Sequence, residues 1–377
     1  MQTKGKKTNK NLKSKSMKIK IAIFLIFVVS FSSLFLFSDT IYKKINNFDQ
    51  GNYDKVFQSQ SIIHFVDVGQ GDATAISLPN GKTMLIDSGT KDSKEQLKEY
   101  LNKNVLKQSK VIDYFIITHP HDDHIGGSAM IFDEYEVKNF YRPNVYSVAE
   151  AQQEELGGTI IPEKNIFNSL TFETLIAKQN AEVGMQTIMF SSLNLPTISS
   201  QDFTFEFLTP KSLTYTNENN YSPIILFSVF NVKAVFTGDA EALVEKEGIN
   251  NHSVKLSNVD ILKVGHHGSS TSSNTQFINL LQPKISVISV GKGNSYKHPT
   301  EKTLETLGNV QTKIYRTDQN GNVVIGINSA SKINVFADNQ TVVIIEVWQI
   351  YLFGCIVAFY FVFIVDYKKI KKKLKKN

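Results

Sequence analysis

The sequence predicts an α/β domain flanked by one transmembrane helix at each end. Three observations carry this: short apolar runs alternate with helical stretches through the middle of the 377 residues, two long segments are free of charge, and each of these meets a lysine-rich tail. The first charge-free segment, 21–37, reads IAIFLIFVVSFSSLFLF, and as a helix its 17 residues span about 26 Å at 1.5 Å per residue. The second, 347–365, reads VWQIYLFGCIVAFYFVFIV and carries Trp348 and Tyr351 near one end, as an interfacial belt does. A cleaved secretory signal is the rival reading of 21–37; its apolar run exceeds the usual length, and Ser38-Asp39-Thr40 offers no clear small-x-small site.

The domain boundaries follow: a basic tail at 1–20, a span at 21–37, a polar linker at 38–60, the α/β domain at 61–340, a span at 347–365 and a basic tail at 366–377. Eight lysines in 1–20 and seven in 368–376 resist translocation, so both termini are expected in the cytoplasm and the domain outside it. Those tails hold 15 of the 41 basic residues; the 26 that remain face 34 acidic ones once Asp366 is set aside, a net −8 for the enclosed part. The basic character of the whole chain therefore belongs to the anchors, which suit a bilayer with anionic lipid heads, and does not argue for nucleic acid. The single cysteine, Cys355, lies in the second span, which excludes a disulfide framework, a cysteine metal site and a cysteine nucleophile in the domain.

Within the domain, 62–68, 73–78 and 83–86 read as three consecutive strands, with Pro79-Asn80-Gly81-Lys82 turning between the last two. A charged amphipathic helix is expected at 91–102 and a β-branched strand at 114–118. The stretch 146–195 is the least legible, with helical spacing only at 166–180. Strands follow at 203–208, 223–230 and 233–237, the last two joined at Asn231-Val232. Helices at 240–247, 275–281 and 300–307 then alternate with strands at 261–264, 285–290, 313–316 and 323–327.

The strongest chemical signal is Thr118-His119-Pro120-His121-Asp122-Asp123-His124-Ile125-Gly126-Gly127. Four of the potential ligands, three of them among the chain's eight histidines, fall within six positions between a buried strand and a glycine-rich turn. A tight turn aims such side chains at one point, whereas a strand would divide them between two faces. Imidazole and carboxylate suit Zn²⁺, Mn²⁺ or iron.

This HxHxDH-GG pattern resembles the signature of the metallo-β-lactamase superfamily. His64-Phe65-Val66-Asp67-Val68-Gly69-Gln70-Gly71-Asp72-Ala73, Leu85-Ile86-Asp87-Ser88-Gly89, Thr237-Gly238-Asp239, Lys263-Val264-Gly265-His266-His267-Gly268-Ser269 and Ser289-Val290-Gly291 to His298-Pro299 follow in order. Together, over about 60–330, they resemble the C-terminal metallo-hydrolase domain of the ComEC competence protein family; the multi-helix channel that accompanies that domain there has no counterpart in this sequence. The resemblance implies a four-layer αββα sandwich and two divalent metal ions, Zn²⁺ or Mn²⁺. It implies that His119 and His121 bind one metal, that Asp123 and His124 bind or orient around the second, that Asp239 bridges, and that His266 or His267 completes the set.

The sequence departs from the wider superfamily in one respect: no histidine occurs between Ile125 and Asn251, where many members place a further ligand. The expected chemistry is attack by a two-metal-activated water on a phosphodiester. Asp123 and Asp239 serve in catalysis, and His298 donates a proton or grips a phosphate oxygen. Asp72 is expected near the site as an orienting carboxylate or a substrate contact, and Ser269, Ser270, Ser272, Asn294 and Tyr296 as lining residues. DNA is one expected substrate; a teichoic-acid or phosphorylcholine diester of the envelope is the other, because the net −8 opposes tight duplex binding. A non-catalytic DNA-uptake or envelope protein that kept the fold is the third reading.

Overall fold

The computed structural model describes residues 53–338 together with Phe24, and residues 52–340 group as one compact unit. Among the described residues no helix is long and apolar enough to cross a membrane; the two spans expected at 21–37 and 347–365 lie outside the described residues apart from Phe24.

Among the described residues, fifteen strands form two sheets. In the first, β1 (Ser61–Phe65) lies between β14 (Val323–Ile327) and β2 (Thr74–Ser77), and the order continues through β3 (Thr83–Ile86), β4 (Val111–Ile116), β5 (Glu136–Pro143) and β6 (Gln186–Phe190), with β15 (Ile333–Ala337) at the far edge. Pairing is antiparallel from β15 to β3 and parallel from β3 to β6. The second sheet runs β13 (Lys313–Arg316), β12 (Ile285–Ile288), β11 (Ile261–Lys263), β10 (Val232–Phe236), β9 (Ile225–Val229), β8 (Phe203–Phe207), β7 (Thr197–Ser199). It too is half parallel, from β10 to β13.

Strand alternation builds the layers. Ile225, Phe227 and Val229 of β9 and Val232, Ala234 and Phe236 of β10 meet Ile63, Phe65 and Ile76 of the first sheet in a core between the two sheets. The intervening Leu226 and Val235 face outward into helices, as a period of two requires. Against the first sheet pack α1 (Lys94–Tyr100), α3 (Ser128–Glu134) and α5 (Leu170–Ala181), through Leu97, Ile131 and Phe172. Against the second pack α6 (Ala242–Leu256), α7 (Thr275–Leu281) and α8 (Glu301–Asn309), through Val244, Phe277 and Leu307. The short α2 (Asp122–Ile125) and α4 (Val148–Leu156) complete the set used below.

Two boundaries differ instructively from those expected. The first helix ends at Tyr100 and continues as a π-helical turn, Leu101–Val105. The helix expected to stop at 247 runs on to Leu256 with a kink at His252. Gly248 is not a terminator there: a Cβ on it would lie 2.8 Å from Ile224 Cδ1, so the glycine lets the helix press on the sheet. Strands β5, β6, β7 and β15 and helix α4 were not expected at all.

The parallel strands place the chemistry. Their carboxyl ends on both sheets feed loops on one rim, where the crevice of an α/β sheet receives ligands: Asp87 follows β3, the histidine cluster follows β4, Asp239 follows β10, His266 and His267 follow β11, and Ser289 follows β12.

Candidate metal centre

After β4, the chain passes Thr118 and His119 and enters α2, with His121 in extended conformation as its N-cap residue. Gly126 ends this turn because nothing larger fits, since a Cβ would stand 2.3 Å from the Lys91 backbone nitrogen. The turn is pressed onto the loop after β3, and from that loop Asp87 reaches in. Its Oδ1 accepts from the Thr118 N–H at 2.8 Å, and its Oδ2 from Thr118 Oγ1 and from His124 Nδ1, both at 2.8 Å. A carboxylate on Nδ1 fixes the tautomer that leaves Nε2 free for a cation.

Three further imidazoles are held from behind. His119 Nδ1 lies 3.1 Å from Thr118 Oγ1 and 3.2 Å from Ser222 Oγ, which also accepts from the Asp239 N–H. His267 Nδ1 donates to the Ser289 carbonyl at 2.9 Å and lies 3.4 Å from Asp72 Oδ1. His266 Nδ1 pairs with Thr271 Oγ1 at 3.1 Å, with Glu241 behind it at 3.8 Å.

The other faces converge on Asp239. Its carboxylate lies 3.3 Å from His124 Nε2, 3.6 Å from His267 Nε2, 3.7 Å from His266 Nε2 and 3.9 Å from His119 Nε2. Asp123 stands 3.2 Å from His267 Nε2 and 4.0 Å from His124 Nε2, and His121 Nδ1 lies 3.0 Å from His119 Nε2. Asp87, His266 and His267 all take positive φ, 59°, 49° and 51°, and backbone strain of this kind costs about 1–3 kcal/mol per residue and gathers where function demands it.

His124 Nε2, His267 Nε2 and Asp239 Oδ1 are buried without a hydrogen-bond partner. A buried polar atom without a partner costs about 1–3 kcal/mol, so these atoms fit a donor set for a divalent cation. His119, His124 and Asp239 bring one ligand atom each to within 4.8 Å of one another, and so do Asp123, His124 and His267.

The electrostatics agree. Burial alone would lower the pKa of His124, but Asp239 and Asp87 reverse this and raise it well above the usual histidine value. Burial likewise opposes the charge on His267, yet Asp239, Asp123 and Asp72 push it up to about 10. His119 has its pKa driven well below the ordinary value by burial and by the neighbouring His124. The carboxylates thus keep protons on His124 and His267 that a cation would displace. For the metal-free protein, a folded pKa near 10 against 6.5 unfolded means that His267 stabilises the fold below pH 6.5 and that this stability fades as pH rises through 10. Urea midpoints of chelator-treated protein should accordingly fall between pH 6.5 and 10, while divalent cations bind more tightly over the same interval; midpoints that rise would contradict the assignment.

In front of this cluster lies an open cavity of about 790 Å³, lined by His121, Asp123, Asp239, His266, His267, Tyr296 and His298 among the expected residues. Tyr296 stacks on His298, whose Nδ1 is buried without a partner. The other expected lining residues lie elsewhere. Asp72 sits behind His267 in a 2.6 Å ion pair with Lys263, both buried. Ser269 Oγ bonds Thr271 and Ser272 Oγ bonds the Gly265 carbonyl. Asn294 spends its amide on the Gly291 and His298 backbone, and Ser270 is absent from the lining. Residues not singled out from the sequence also line the cavity: Gln70, Thr90, Lys91, Asp92, Asp122, Phe167, Ser169 and Asn219. His64, buried against Tyr100, and His252 lie outside it.

A family model described as the metallo-beta-lactamase superfamily matches residues 66–292. Among curated proteins the chain is similar to ComE operon protein 3 of Bacillus subtilis, 30% identical over 280 residues that make up 70% of this chain and 33% of that protein. It is similar to Recombination protein 2 of Haemophilus influenzae, 28% identical over 276 residues covering 72% of this chain and 29% of the relative. Competence protein ComA of Neisseria gonorrhoeae matches at 35% identity over 128 residues, 33% of this chain and 18% of the relative. The chain therefore spans a third or less of the length of each of these relatives.

Proposed function

The chain belongs to the metallo-beta-lactamase superfamily, and from that premise we propose that it is a metal-dependent phosphodiesterase with DNA as its substrate. The observation that carries this reading is the convergence of unpartnered imidazole nitrogens on the buried Asp239 carboxylate, at the wall of a cavity that, among the described residues, Lys91 alone lines as a lysine or arginine. The names of two relatives, one a competence protein and one a recombination protein, favour DNA among phosphodiesters.

Bound divalent cations supply Lewis acidity, lowering the pKa of water toward neutrality and neutralising charge on a phosphoryl centre. His119 and His121 would hold one such ion and His124, Asp123 and His267 the other, and Asp239 would serve as a ligand to both. Lys91 attracts a non-bridging phosphate oxygen. Burial lowers the pKa of His298, and His266 and His267 lower it further, which leaves its ring neutral near pH 7. It grips a phosphoryl oxygen through a ring N–H instead of through charge.

Replacing Lys91 with Gln is expected to raise KM for a small phosphodiester about ten-fold, in line with the roughly 1.5–3 kcal/mol of a hydrogen bond to a charged group. Bound metal should stay at the wild-type level. An unchanged KM would remove Lys91 from the substrate site.

The substrate class is tested by incubating the Mn²⁺- or Zn²⁺-loaded protein with single-stranded DNA, duplex DNA, bis-p-nitrophenyl phosphate and a glycerol-phosphate polymer. Turnover of DNA supports the proposal. Turnover of the small diester and the polymer but never of DNA replaces it with the envelope phosphodiesterase, which a single lining lysine and a net charge of −8 outside the lysine tails favour. No turnover by metal-loaded protein sinks both. We also propose that the domain at 61–340 lies outside the cytoplasm, tethered by helices at 21–37 and 347–365 with both lysine tails inside. Protease added to intact cells should then digest the domain, and a protected domain would overturn this orientation.

A further inference from the structure

We propose that Asn219 supplies a side-chain oxygen ligand to the cation held by His119 and His121, in place of the histidine that is missing between Ile125 and Asn251. This rests on the metal-centre reading above and deepens it. Asn219 stands on a 3-10 turn, Glu218–Tyr221, that joins β8 to β9 and lines the same cavity as His121, Asp123 and Asp239. The residue is 6% exposed, and its Oδ1 is buried without a hydrogen-bond partner. That combination is shared at this cavity with His267 and Asp239, both placed here as ligands.

The rest of the turn is fastened without this amide. Asn217 Oδ1 accepts from the Asn219 N–H at 3.0 Å, and Asn217 Nδ2 donates to Glu241. Asn220 Oδ1 accepts from the Glu241 N–H, and the Tyr221 hydroxyl donates to the Lys164 carbonyl at 2.8 Å. The Ser222 N–H donates to the Asn219 carbonyl, and Ser222 Oγ then bridges His119 Nδ1 and the Asp239 N–H. The side chains of Asn217, Asn220 and Tyr221 thus fasten the turn to Glu241 and Lys164, and that of Ser222 fastens it to His119 and Asp239, while that of Asn219 is left to serve the cavity. A neutral amide oxygen keeps the charge of the ligand set as an imidazole would. It is a harder donor, so it moves the ion's preference away from Zn²⁺ and toward Mn²⁺.

The test compares the full chain with its Asn219→Ala and Asn219→His variants, counting bound Mn²⁺ and Zn²⁺ after dialysis and measuring affinities by competition with a chelating dye. Asn219→Ala should bind one of two ions at least ten-fold less tightly and leave the other unchanged. Asn219→His should regain that ion and shift the preference toward Zn²⁺ by ten-fold or more. Wild-type affinity for both ions in a folded Asn219→Ala protein overturns the proposal. Should the alanine variant not fold, the histidine variant decides, and an unmoved Mn²⁺ to Zn²⁺ preference counts against it. A wild-type chain that binds no metal would instead overturn the metal-centre reading itself.

Discussion

Asp239→Ala is expected to lose bound metal and phosphodiesterase turnover together, with kcat/KM down by about 10³ or more, since even one electrostatic donor at a reacting centre is worth about 10²–10³. Asp239 is 2% exposed, and its carboxylate lies within 3.3–3.9 Å of four imidazole nitrogens. Against the burial that would raise its pKa, His124 and His267 hold Asp239 well below the ordinary carboxylate value, so it is ionised wherever the protein is folded near neutrality. Removing it leaves those imidazoles facing one another without the negative charge that gathers them. The chelator-treated variant should also lose the carboxylate that helps raise the His267 pKa. A variant that keeps its metal and at least a tenth of its turnover would refute the bridging role.

The second large effect is on stability. Lys263 and Asp72 form a 2.6 Å ion pair with both side chains buried, on the side of His267 away from the cavity. Lys263→Met leaves the Asp72 carboxylate in the interior without that cation, and breaking a buried pair from one side costs about 3–5 kcal/mol. Pairing it with Asp72→Asn removes the stranded charge and should recover part of the loss, so a double-mutant cycle measures the coupling. Urea unfolding of metal-free protein reads both. A loss below about 1 kcal/mol for Lys263→Met would mean that water or His267 satisfies Asp72 in its place. The pair has a functional edge as well, because Asp72 and the Ser289 carbonyl together set the direction of the His267 ring.

Strands β1 to β3 were legible because an apolar run, a Pro-Asn-Gly turn and a second run lie next to one another, and antiparallel neighbours need nothing remote to define them. The helix at 275–281 and the strands at 313–316 and 323–327 came out with their observed bounds. Strand β5 was hidden: Glu136 and Lys138 are exposed, and its buried half depends on parallel partners β4 and β6, which are separated from it in sequence by helices. Helix α4 buries only Ala151, so it carries no apolar stripe; its one local signal is Ser147 capping the Glu150 N–H, a Ser-x-x-Glu start that the sequence displays.

In the site, the histidines and aspartates announce themselves by their spacing. Asn219, Lys91, Gln70 and Phe167 do not, because an Asn in a turn or a Lys before a helix is ordinary until loops from several strands meet. Asp72 sits in a conspicuous motif and takes the orienting place behind His267 that was one of its two expected roles, but its partner Lys263 lies on another strand, so that pairing is a fact of tertiary packing.

The central claim is that these groups hold cations, and counting metal tests it most directly. Wild-type chain purified without chelator and dialysed against Mn²⁺ or Zn²⁺ should retain two equivalents of transition metal by mass spectrometry. A folded chain that retains none would contradict the account, however well its imidazoles converge.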